Sequence, residues 1–308
     1  MCYNEKRKID IFEVEQMILK FEPIALEKVW GGNNLKKTYG FTIDKIGEVW
    51  GISGHVSYSN KVVNGEFKGM TLRELYKDKK DLFGYFKEDE FPVLVKVIDA
   101  DDDLSVQVHP QDDYALRHES SRGKDECWYI LGTNSENTEI VIGHNAKTHD
   151  ELVSLINKND YDKLLNKFLI KANDYFYIPS GKIHAICKDT TLLEVSQSSN
   201  ITYRLFDYNR LDNGKLRDLH IKQSIDVINV PDTPLEKVHN EKYFAFDIRE
   251  NSSCKDLKAD VYGDYLYIIS GKGHLGDLDI YPGDFYMISS NSDYKLSGDI
   301  KYAIINLK

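Results

Sequence analysis

The sequence predicts a mainly β protein, built as two barrel-like units in tandem with a helical insertion in the first. Three observations lead there. Short runs rich in β-branched and aromatic residues, separated by Gly- and Asp-rich turns, recur through the chain and make up its whole C-terminal part. Two of these regions repeat. Asp174-Tyr-Phe-Tyr-Ile178 matches Asp284-Phe-Tyr-Met-Ile288 at an offset of 110 residues, and Trp128-Tyr-Ile-Leu131 matches Leu266-Tyr-Ile-Ile269 at an offset of 138, so the first copy holds 28 more residues. A helical pattern of about that size lies inside the first copy. It opens with the capping box Thr148-His-Asp-Glu151 and continues through Leu152, Leu155, Ile156, Leu164, Leu165 and Phe168, which places an insert near 148–168.

Composition narrows the class of partner. The chain has 308 residues, is 41 % hydrophobic and 12 % aromatic, and carries a net charge of −10. That describes a soluble globular protein, disfavours nucleic acid and anionic membrane, and leaves room for a local basic pocket that takes a small anion. No apolar run approaches the roughly 18 residues of a membrane span. Cys2, Cys127, Cys187 and Cys254 form no CxxC pair, which reads as reduced thiols in a cytoplasmic protein with no signal peptide.

In order, residues 1–16 are charged and read as an extension ahead of Met17, from which an apolar, strand-like run begins. Removing 1–16 is expected to leave activity and melting temperature nearly unchanged. Residues 17–230 form the first unit and 231–308 the second. Lys28-Val-Trp-Gly-Gly32 and Gly47-Glu-Val-Trp-Gly-Ile-Ser53 read as loops, with Glu48 by default a surface carboxylate. Thr71-Leu-Arg-Glu74 caps a short helix that runs to Gly84. Phe91 to Ile98 is a strand, Asp99 to Asp103 a turn, and Ser105-Val-Gln-Val-His-Pro110 the returning strand of a hairpin.

That returning strand carries the first chemical signal. Alternation puts Ser105, Gln107 and His109 on one face. Burying them without partners would cost roughly 1–3 kcal/mol each, so either the face is solvated or a metal and a polar ligand satisfy it. Glu126 opens the next strong strand, and Asn173 to His184 runs from a strand into a tight turn ending on His184. On neighbouring strands of one barrel, Gln107, His109, Glu126 and His184 would suit a divalent metal, zinc first. In the repeat His184 falls on Tyr294, so one unit is chemical and the other structural.

Pro179-Ser-Gly-Lys-Ile-His184 resembles the second cupin motif. Ser-x-Gln-x-His-Pro together with Gly123-Lys-x-Glu-x-Trp128 resembles the type I mannose-6-phosphate isomerases, particularly their short bacterial form. Trp30-Gly-Gly32, Gly47-Glu-x-Trp50 and Tyr203-Arg-Leu-Phe-Asp-Tyr-Asn-Arg210 extend the likeness, which covers the chain from about Met17 onward. The resemblance implies tandem cupin-type jelly-roll barrels and one zinc ion per chain on Gln107, His109, Glu126 and His184. It implies a catalytic arginine at Arg204, with Glu48, Ser105, Lys124 and Arg210 around a sugar-phosphate substrate. The reaction implied is interconversion of mannose 6-phosphate and fructose 6-phosphate through an enediol. Two positions depart from the pattern: Asn200 stands where the family usually has an acid, and Asn173 where cupins often have Gly.

The proton carrier stays open among Glu48, Lys124 and a metal-bound water. A cupin oxygenase would use iron with a His-rich set, which the Gln-x-His pair and the basic residues disfavour. A sugar-phosphate-binding or regulatory protein that keeps the metal without turnover is the alternative, and Asn200 is its support.

Overall fold

The computed structural model describes residues 17–235 and 241–308, so the expected extension at 1–16 lies outside the described residues. The fold is mainly β, as expected. A six-stranded antiparallel sheet runs in the order Ile24–Gly32, Ile46–Ser53, Val93–Ala100, Thr190–Gln197, Glu126–Thr133 and Tyr175–Ile178. A five-stranded sheet follows the order Tyr203–Phe206, Val106–Val108, His184–Ile186, Glu139–His144 and Leu165–Leu169. Trp30, Ile98, Trp128 and Leu192 of the first sheet meet Ile140, Ile142 and Ile186 of the second in one buried cluster, so the two face each other. The five-stranded sheet packs its other side, through Val108, Val141 and Leu205, against the helices His149–Asn157, Tyr161–Leu164 and Ile221–Val227.

A third sheet of seven strands is made mostly from the C-terminal part and includes Asp264–Leu275, Phe285–Ile288 and Asp293–Leu307. It also takes in Ile18–Phe21, which pairs with Phe285–Ile288. Phe285, Met287, Tyr265 and Phe244 pack against Val49, Val93, Val95 and Val195 on the outer side of the six-stranded sheet. On the far side, Leu266, Ile268, Tyr286 and Leu296 form a separate core.

Three local expectations are corrected. Val93–Ala100 and Val106–Val108 do not form a hairpin: they belong to different sheets, and the Asp-rich turn carries the chain across the sandwich. The two Gly- and Trp-rich stretches are strands, because their glycines serve close packing rather than turning. A Cβ on Gly31 would lie 2.2 Å from the Lys45 carbonyl oxygen, and one on Gly51 2.1 Å from the Phe285 ring. The insert is helical only over 149–157 and 161–164, and Leu165–Leu169 continues as an edge strand pairing with Glu139–His144. The first capping box is complete at Thr71 and Glu74. In the second, Thr148 accepts from the Glu151 amide while Glu151 turns back to the Lys147 amide instead.

The internal repeat holds in three dimensions. Trp128 pairs with Phe176 as Leu266 pairs with Tyr286, and Tyr129 pairs with Tyr175 as Tyr267 pairs with Phe285. Asn173 and Gly283 precede the repeated strands with φ of 73° and 93°, so Asn fills a left-handed position that the other copy gives to Gly. Where the first copy brings Glu126 and His184 together, the second joins Asp264 to the Tyr294 hydroxyl at 2.9 Å, and Asn306 donates to the same carboxylate at 2.7 Å. Hydrogen bonds from two side chains satisfy that carboxylate. Tyr294→Phe is expected to cost about 1–3 kcal/mol in urea unfolding, the price of a buried carboxylate losing a donor, with bound metal unchanged. Loss of metal in that variant would contradict the division of roles.

Among the described residues Cys127, Cys187 and Cys254 are free thiols, and no helix is long and apolar enough to cross a membrane.

Candidate active site

Strand pairing sets Gln107 opposite both His184 and Arg204, so the three side chains share one face of the five-stranded sheet. Glu126 starts a strand of the facing sheet. His109 follows directly on Val108, and its carbonyl accepts from the Gly181 amide at 2.8 Å, which ties it to the turn before His184. The donor atoms of His109, Glu126 and His184 lie within 4.8 Å of one another, and all three residues are buried. His109 Nε2 is 3.3 Å from Glu126 Oε2, and His184 Nε2 is 3.5 Å from Glu126 Oε1.

Both histidines are oriented from behind. His109 Nδ1 lies 2.7 Å from the Ile201 carbonyl and His184 Nδ1 2.9 Å from that of Lys182. A carbonyl only accepts, so each Nδ1 carries the proton and each Nε2 turns a lone pair toward Glu126, the arrangement that metal-binding histidines use. Glu126 Oε1 is buried without a hydrogen-bond partner among the described residues, so the site has room for a cation's charge there. The residues therefore fit a metal ion. Gln107 stands at the edge, its amide nitrogen 3.3 Å from His184 Nε2, and would join as a ligand by presenting Oε1 instead.

Electrostatics keep these donors deprotonated. Burial, reinforced by the Lys124 ammonium, pushes His109 down to about 3, and burial lowers His184 as well. Burial alone would raise Glu126, but the Lys124 ammonium beside it holds its carboxyl well below the usual range. Unfolded histidines take up protons near pH ~6.5, whereas the folded ones stay neutral, so the unfolded state binds more protons below that pH. Stability of the chelator-treated protein should therefore fall as pH drops from about 6.5 toward 3, and His109→Gln should flatten that fall. Urea unfolding at several pH values checks it, and an equal slope in both proteins would contradict the assignment.

Next to the cluster lies a cavity of about 310 Å³ lined by Glu48, Ser105, Gln107, Lys124, Asn200 and Arg204. A hollow of about 770 Å³ shares Lys28, Arg204 and Arg217 with it and reaches Arg210. Lys124 is buried rather than on the surface. Its ammonium donates to Glu126 and, at 3.0 Å, to Glu194, and lies 3.3 Å from His109 Nε2. Glu48 is no surface carboxylate either. It accepts from Trp50 Nε1 at 2.8 Å, with Lys28 at 3.5 Å and Lys96 at 3.9 Å. Burial works against its ionisation, but Lys96 and Lys28 prevail and lower it below the ordinary carboxylate value.

Arg204 is half-buried, with one guanidinium nitrogen donating to the Asp218 carbonyl at 2.9 Å and Nε unsatisfied among the described residues. Arg210 stands in the outer hollow, bonded to Asp102 at 3.1 Å and to Asp207 at 2.9 Å. Asp207 also binds Arg217, so one carboxylate serves two of the three guanidinium groups. Sequence reading missed Lys96, Glu194, Lys28 and Arg217. Lys96 and Glu194 are directly paired across two central strands, and the signal was their place inside apolar runs, on the face shared with Leu94, Ile98 and Leu192.

Comparisons with known proteins decide the family. The family described as phosphomannose isomerase type I, catalytic domain, matches residues 18–144. The mannose-6-phosphate isomerase ManA of Bacillus subtilis is 41 % identical over 91 % of this chain and 96 % of its own length. This chain belongs to the type I mannose-6-phosphate isomerases. The mannose-6-phosphate isomerase of Streptococcus mutans is 48 % identical over 68 % of each chain. The crystal structure of the Bacillus subtilis mannose 6-phosphate isomerase superposes with a TM-score of 0.90 at 33 % identity, covering 95 % of this chain and all of that one. A zinc-bound mannose 6-phosphate isomerase shares the fold, with a TM-score of 0.77 at 15 % identity over 94 % of this chain and 99 % of that one. As a type I mannose-6-phosphate isomerase the chain is an enzyme with a sugar phosphate as substrate, and its His-Glu-His cluster is the group placed to hold a metal.

Proposed function

We propose that this enzyme interconverts mannose 6-phosphate and fructose 6-phosphate through an enediol, with one zinc ion per chain. His109, Glu126 and His184 would hold the ion, with Gln107 as a fourth, neutral donor. The observation that carries the reading is the convergence of two Nε2 lone pairs on a buried carboxylate beside a cavity rich in cations. The ion supplies a positive charge that polarises a sugar oxygen without redox change. Around it, the chain's own residues do the rest.

Lys28, Lys96, Lys124, Arg204 and Arg217 outnumber Glu48 and Glu194 along the cavity, so an anionic sugar phosphate is attracted into a protein of net charge −10. Arg204 lines the cavity from the strand next to that of Gln107 and can donate to the oxygen on which enediolate charge grows. Lys124 and Ser105 lie deeper and can donate to sugar oxygens, while Arg210, at the outer hollow, suits the phosphate. Glu48 is ionised at neutral pH and lines the cavity, so it can accept a proton from the sugar. Asn200 lines the cavity where the family pattern has an acid and cannot take a proton, which leaves that work to another group. If none does it, the chain is a sugar-phosphate binder without turnover.

In the same reading, residues 17–230 form the metal-bearing cupin-type barrel and 231–308 a metal-free one, with Ile18–Phe21 lent to the second unit's sheet. The enzyme works in the cytoplasm. Incubating it with mannose 6-phosphate in D₂O and following the reaction by NMR tests the chemistry. Proton shuttling through an enediol predicts fructose 6-phosphate with solvent deuterium at C1. Product that stays free of label through many reversible turnovers would overturn the enediol route, and no conversion would favour the binding protein.

A further inference from the structure

A second cavity, of about 430 Å³, lies on the other side of the strand that carries Arg204. The separation is built by a bulge. Arg204 pairs with Gln107, but the register slips so that Phe206 pairs with Val106, whose side chain packs on the helix-covered side of the sheet. Arg204 and Arg210 thus line the isomerase cavities, while Phe206 and Tyr208 line this one. Phe206 stacks on Tyr161 with ring centroids 4.5 Å apart and meets Tyr208 edge-on at 4.8 Å, giving an angled aromatic corner.

The rest of the lining is largely polar and mixed. Ser135, Asn137 and Thr138 offer both donors and acceptors, which suits a ligand whose groups are hydroxyls. Four carboxylates, Asp103, Glu139, Asp162 and Asp189, face two ammonium groups, Lys167 and Lys188. A phosphorylated sugar is repelled by that surplus of negative charge, just as it is drawn to the cationic cavity behind. Volume, aromatic rings and polar groups in one lining are the features of a ligand site.

We propose that this cavity binds an unphosphorylated, sugar-sized polyhydroxylated ring, its C–H groups in the corner between Phe206 and Tyr208. Saturation-transfer NMR with methyl α-mannopyranoside tests it without any turnover, so the result is independent of whether the isomerase reading holds. The expected result is transfer to the ring protons that persists in excess inorganic phosphate. The double variant Asn137→Ala/Lys167→Ala, both exposed positions, should weaken binding about tenfold with an unchanged melting temperature. Absence of transfer to the wild type, displacement by inorganic phosphate, or wild-type affinity in the double variant would each overturn the proposal.

Discussion

Replacing His184 by alanine should abolish stoichiometric metal binding and lower turnover by about 10³-fold or more, because two strong donors cannot hold a divalent ion as three do. His184 is 1 % exposed, its Nδ1 is anchored on the Lys182 carbonyl, and its Nε2 is aimed at Glu126, so the change removes a donor already held in place. His109→Ala behaves the same way. The fold should survive either change, since Lys124 already neutralises Glu126 in the absence of the histidine. His184→Gln, which keeps more of the volume, guards against a trivial loss of packing. Metal analysis after gel filtration reads the outcome, and one equivalent of zinc in either alanine variant would overturn the ligand assignment.

Arg204→Ala is the second large effect. Its guanidinium sits between the inner cavity and the outer hollow, with one nitrogen on the Asp218 carbonyl and Nε without a partner among the described residues. A donor aimed at developing enediolate charge typically contributes 10²–10³ in rate, so kcat should fall by about that factor while bound metal stays constant and KM changes much less. Arg204→Lys should recover part of the loss, because an ammonium keeps the charge but not the planar fork. If Arg204 only anchored phosphate, KM would rise with kcat intact.

Legibility followed local pattern. The strand Val106–Val108, the turn to His184 and the pairing of the two repeats were readable because alternation and short spacing place those residues whatever the rest of the chain does. The hairpin failed where local pattern had nothing to say: Asp99 to Asp103 looks the same whether the next strand pairs back or crosses to a facing sheet. Glu48 looked exposed because charged residues usually are, and nothing local placed Lys124 in the interior. Burial became possible only once Lys96, Lys28 and Glu194, distant in sequence, arrived beside them. The glycines of the Trp-rich strands were read as turn residues because the backbone and ring they make room for, at Lys45 and Phe285, come from elsewhere in the chain.

The most direct test of the metal-dependent isomerase is a coupled assay of mannose 6-phosphate conversion on the protein as isolated, after chelation, and after zinc is restored. The expected result is conversion to fructose 6-phosphate that is lost on chelation and returns with about one equivalent of zinc per chain. Turnover that survives complete removal of metal, or none at all from the zinc-loaded protein, would contradict the account.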